Sequence, residues 1–170
     1  MSIQQALRIS RTSRGLKQSD LDVPVTQQMI SAIEKGTRQM AADLAPHFNR
    51  IVDHHAMYFE TMREATDGVG PSYLDGPNVD LHRSAVREKC LEELQEAVDA
   101  ISHFATNKPP GAEGDTHRRK REEHLLQVMD AIQASYMYIG VQCEEYGFSM
   151  RAINQKHRKK LESLRYVKSH

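Results

Sequence analysis

The sequence predicts an all-α protein, and three observations carry that expectation. Apolar residues recur three and four positions apart, as in Val86, Cys90, Leu94, Val98 and Ile101 or Leu125, Val128, Ile132, Tyr136 and Ile139, which is the spacing of one helix face. Residues that start and stop helices stand at the ends of such runs. Thr26 and Ser149 can cap a first turn through a side-chain oxygen, and Gly36 and Gly147 can end a last turn in the left-handed conformation. Glycine and proline gather in two interior stretches, TDGVGPSYLDGPN at Thr66 to Asn78 and NKPPGAEGD at Asn107 to Asp115, which break the periodicity. The expected architecture is an N-terminal bundle of four or five helices over residues 1–65 and a linker over 66–78. A second domain of long antiparallel helices follows over 79–170.

A chain of 170 residues holds one domain with a full core or two small ones. Its 23 Lys and Arg balance 23 Asp and Glu, which argues against a protein that coats nucleic acid nonspecifically but allows locally basic surfaces. There is no run of about 18 apolar residues and no apolar signal core at the N-terminus, so a soluble cytoplasmic protein without membrane contact is expected. Cys90 and Cys143 lack CxxC partners and lie within apolar helical patterns, as core thiols do. His54-His55 and His117…His124 have no companion cysteines at zinc spacing, so neither a metal nor a cofactor is expected.

The first helix is expected from about Ile3 to Arg14, with Ile3 and Leu7 inward, Arg8, Arg11 and Arg14 over its remaining surface, and Gly15 as its end. The next stretch, GLKQSDLDVPVTQQMISAIEKGTR, has Leu16 and Leu21 on one face of a short helix and Ile30 and Ile33 on one face of a second. Pro24 removes a backbone donor and pushes Val23 out of the α region, so the first of these helices must stop before it. The two helices and their turn form a helix-turn-helix pattern. Beyond it, helices are expected over Ala41 to His54, with Pro46 in the first turn, and over Ala56 to Ala65.

Gly15-Leu16-Lys17-Gln18 and Ile30-Ser31-Ala32-Ile33-Glu34-Lys35-Gly36 resemble the lambda-repressor-like helix-turn-helix regulators, the Xre or Cro family. The segment between Gln18 and Ile30 is a residue or two shorter than the usual pattern, and Pro24 replaces a small turn residue. The resemblance implies that the second helix enters the major groove of an operator, with Thr26, Gln27, Gln28 and Ser31 towards the base edges. Glutamine suits that role because its amide offers a paired donor and acceptor to the N6/N7 edge of adenine. Gln18 stands where the family contacts a phosphate. Lys17, Lys35 and Arg38 can add backbone contacts, which orient without reading sequence.

In the second half, long helices are expected over Val79 to Thr106 and His117 to Tyr146, then a last one from Met150 to Arg165. The middle helix begins charged, HRRKREEH, and then turns so apolar that a partner subunit is needed to cover it. A homodimer is therefore expected, with Leu94, Val98, Ile101, Val128, Ile132, Tyr136 and Ile139 at the interface, and two-fold regulators do bind paired half-sites. The stretches LDGPNVDLHRSAVREKCLEELQEA and EEYGFSMRAINQKHRKKLESLRYVK resemble the C-terminal parts of phage and prophage regulators with an Xre-type head. That resemblance implies no catalytic residues, and the protein is not expected to be an enzyme.

Two alternatives stand beside this reading. The second domain can bind and inhibit a protein partner. It also faintly resembles MazG-type nucleotide pyrophosphohydrolases, whose paired helical acids hold magnesium. Glu93 and Glu96 give one such pair, with Glu92 and Asp99 near, but Asp130 is preceded one turn earlier by neutral Gln127. Clustered Glu on a helix is more often a solvated face. The last segment, Arg151 to His170, carries Lys156, Arg158, Lys159, Lys160, Arg165 and Lys168 against Glu162 alone, which reads as a solvated face, a second phosphate contact or a docking surface for an acidic partner.

Overall fold

The computed structural model describes residues 1–104 and 114–168, and among them all regular structure is helical. The helices are α1 (Ile3–Ser13), α2 (Gln27–Glu34), α3 (Ala45–Val52), α4 (His55–Ala65), α5 (Arg83–His103), α6 (Asp115–Glu145) and α7 (Met150–Ser163). No described helix is long and apolar enough to cross a membrane. The break expected at Asn107 to Asp115 falls outside the described residues, apart from its last two positions.

The chain divides into two compact units, Met1–Pro77 with Gln142 onward, and Asn78–Val141. The expected grouping of 79–170 therefore differs from the structure, which gathers the last segment with the N-terminal helices. Sequence periodicity reports which face of a helix is apolar and not which bundle that face joins.

In the first unit, α1 opens with a capping box. Ser2 Oγ accepts from the Gln5 N–H, and Gln5 Oε1 accepts from the Ser2 N–H at 3.0 Å. Its inward stripe of Ile3, Ala6 and Leu7 packs with Leu21, Ile30, Ile33, Phe48, Val52 and Met57 in one core. Pro46 lies in the first turn of α3, where its missing N–H is harmless. The 66–78 segment is anchored, because Tyr73 packs against this core and Pro71 is buried.

Two expectations change here. The short helix expected at Leu16 to Leu21 is only a single 3₁₀ turn, Gln18–Asp20. Asp20 folds back to accept the Lys17 N–H at 2.7 Å, and successive tight turns bond Val23 N–H to Leu21 O and Val25 N–H to Val23 O. With Pro24 fixing the exit, too few residues remain for an α-helical ladder. Nor are Arg11 and Arg14 spread over the surface. Arg11 is bonded to Glu34, and Arg14 donates to the Val52 and Asp53 carbonyls, satisfying orphan acceptors at the end of α3.

The second unit is an antiparallel pair, α5 with α6 as far as Val141. Cys90 Sγ lies 3.9 Å from Ser135 Oγ, and the Phe104 and His124 rings are 5.0 Å apart, so the partner's number falls as the α5 number rises. Val86, Cys90 and Ala97 from α5 and Ala131 from α6 are buried. Both cysteines are free and buried.

Candidate nucleic-acid interface

Helix α2 is held from behind and open in front. Its N-cap is Thr26, whose Oγ1 accepts from the Met29 N–H at 3.3 Å. Gly36 follows the last turn at φ +73°, the conformation that stops the helix. Ile30 and Ile33 are buried, while Thr26, Gln27 and Gln28 in the first turn are exposed and Ser31 is half-buried. Eight residues at 1.5 Å rise make the helix about 12 Å long, so Lys35 and Arg38, both exposed, lie at the end away from the Gln pair.

The rear anchor is a buried ion pair. Arg11 on α1 grips Glu34 with two parallel bonds, and Gln18 Nε2 donates to Glu34 Oε2 at 2.8 Å. Burial alone pushes the Glu34 carboxyl up, but the bonds from Arg11 and Gln18 outweigh it and leave the group below its ordinary value. Arg11 also donates to the Leu16 carbonyl at 2.6 Å, tying the 3₁₀ turn to the same corner. Gln18, assigned by resemblance to a phosphate, is thus anchored to the back of α2. Lys17 is exposed. The sequence does signal Arg11, since Ile3, Leu7 and Arg11 repeat at four-residue spacing and so share a face.

A second cluster in the same unit was not foreseen. His54 and His55 are both buried, their rings stack at 4.4 Å, and the Glu144 carboxylate reaches them from 90 positions away in sequence. Ligand atoms of His54, His55 and Glu144 all lie within 4.8 Å, a spacing that can surround a cation. The hydrogen bonds argue otherwise for His54. Its Nδ1 accepts the Ala56 N–H at 3.1 Å and lies 3.3 Å from Ser10 Oγ, which leaves the proton on Nε2 to be donated to Glu144 Oε2 at 3.1 Å. Metal ligation by Nε2 would move that proton to Nδ1, against a backbone donor.

Ser10, His54 and Glu144 also follow the order of a nucleophilic triad, but Ser10 has no exposed surface and cannot meet a substrate. The arrangement works as a strap. It caps α4 through His54 and joins the last turn of α6 to α1, with Ser13 Oγ also donating to Glu144. Burial, with His54 alongside, holds His55 down to about 3, and the His54 bond holds Glu144 down to about 2. Asp53 completes the corner, accepting from Tyr58 Oη at 2.9 Å and from the backbone N–H of Arg151 in α7 at 3.2 Å. No local pattern announces any of these pairs.

In the second unit, all seven residues expected at a subunit interface come together. Leu94, Val98, Ile101, Val128, Ile132, Tyr136 and Ile139 line one apolar groove of about 370 Å³ with Ala97, Ala131 and Ser135. The acids weighed as magnesium ligands do not converge. Lys89 Nζ bonds Glu93 at 2.7 Å and Glu92 at 3.2 Å, and among the described residues Glu93, Glu96, Asp99 and Asp130 form no group of three with ligand spacing. No family model, curated protein or solved structure matches the chain.

Proposed function

We infer that the protein is a sequence-specific DNA-binding regulator of the Xre type, reading double-stranded DNA through α2. The observation that carries this is the two-sided construction of that helix. Ile30 and Ile33 seal its rear into the core, while Thr26, Gln27 and Gln28 project from its capped first turn, exposed to solvent. A recognition helix presents its N-terminal residues to base edges in this way, and glutamine pairs with the adenine edge. Lys17, Lys35 and Arg38 supply exposed cations around it for phosphates. The cation-rich α7 adds Lys156, Lys159 and Lys160 in the same unit, all exposed. Such a regulator works in the cytoplasm, where its operator is.

Selection of bound duplexes from a random pool by the full-length protein tests the reading. Enrichment of a defined motif, lost when Gln27 and Gln28 are both changed to Ala, is the expected result. A folded protein that enriches no sequence overturns it.

A further inference from the structure

We propose that the α5–α6 unit is half of a four-helix bundle, and that a second copy of this chain covers its groove. The proposal does not depend on DNA binding.

The first argument is the amount of apolar surface left open. Leu91, Leu94, Val98 and Ile101 on α5 are 43–55 % exposed, and Leu125, Met129, Ile132 and Ile139 on α6 are 36–56 % exposed. At 100° per residue the four on α5 fall within an 80° arc, and those on α6 within a similar one. Each helix therefore adds a continuous stripe beside the residues it already buries. Together these side chains expose on the order of 700 Å², close to the ~800 Å² per partner of a standard stable interface. The buried side chains of two helices alone make a thin core for such a unit, and a second pair of helices doubles it.

The second argument is self-complementarity. On α5 the exposed residues follow a 3-4-3 spacing, 91, 94, 98 and 101. On α6 the spacing is 3-4 from Leu125 through Val128 to Ile132, and seven more positions reach Ile139. This is the register in which helices of a bundle pack side chains between one another. A two-fold axis along the bundle sets each α5 beside the other copy's α6, so the same apolar stripe serves on both partners.

Sedimentation equilibrium of the full-length chain across the micromolar range tests the proposal, together with NMR on a mixture of isotope-labelled and unlabelled chains. The expected mass is twice the chain's 19.4 kDa, with intermolecular methyl contacts among Val98, Ile101, Ile132 and Ile139. Changing Val98→Glu with Ile132→Glu is expected to halve the mass while the Leu7, Ile30 and Ile33 methyl signals keep their positions. A wild-type chain that stays monomeric throughout overturns the proposal. So does a dimer whose intermolecular contacts lie outside the groove.

Discussion

Arg11 Nε donates to Glu34 Oε1 at 2.6 Å while its Nη2 donates to Glu34 Oε2 at 2.8 Å, so a guanidinium on α1 and a carboxylate on α2 meet as a planar, two-bonded pair. Their side chains are 13 % and 4 % exposed. Such a pair fixes orientation more surely than it adds stability, because desolvating both charges offsets much of their attraction. Removing one partner is a different matter. Arg11→Ala is expected to cost about 3–5 kcal/mol by leaving Glu34 buried and unpaired, and Arg11→Met with Glu34→Leu much less. Urea unfolding of the three proteins checks this, and equal losses in the single and double variants would count against it.

The inferred base contacts separate from the phosphate contacts by their sequence dependence. Gln28→Ala is expected to cost about 1–3 kcal/mol on the selected operator and to relax the preference at one base pair. Lys35→Ala is expected to weaken binding to every sequence and to flatten the salt dependence by about one counterion. Fluorescence anisotropy at several salt concentrations measures both, and matching losses on operator and random DNA from the two changes would remove the base-reading assignment.

His55 and Glu144 make stability fall on acidification. Both are held below their ordinary values in the folded chain, His55 at about 3 against 6.5 and Glu144 at about 2 against 4.5. The unfolded chain therefore binds more protons between those limits. Stability is complete above about pH 6.5 and is lost as the pH falls towards 3. His55→Leu, which also removes a buried Nε2 that has no hydrogen-bond partner, is expected to flatten that decline between pH 6.5 and 4.5. Urea midpoints at pH 7, 5.5 and 4.5 are the measurement, with an unchanged slope as the contrary result.

Gly36 stands at φ +73° with nothing within 4 Å of where a Cβ would lie. Gly36→Ala therefore meets only backbone strain, and a loss of about 1 kcal/mol is expected. A fully neutral substitution in thermal unfolding would mean that the end of α2 relaxes freely.

The helices were legible in the sequence because caps and periodicity are local. Thr26, Gly36, Ser149 and Gly147 mark ends that the structure keeps, and the residues of the α5 and α6 stripes share one groove. The 3₁₀ turn was not legible, since its ending depends on the Asp20 carboxylate and two tight turns competing with a helix only a few residues long. The clustering of His54, His55 and Glu144 lay beyond sequence reasoning for another reason. It joins residues 90 apart, and a lone acid near the end of an apolar helix has no local partner to betray it. Arg11 falls between these cases, signalled by its spacing from Leu7 but masked by its charge.

The strap also sets an order of events at the ribosome. Residues 1–77 can assemble around Phe48 and Ile33 while the α5–α6 segment is still being made, but Ser13 and His54 wait for Glu144. At about 5–20 residues per second, the 67 intervening positions take roughly 3–13 s. During that interval the nascent bundle carries two neighbouring imidazoles without the carboxylate that later accepts the His54 hydrogen bond.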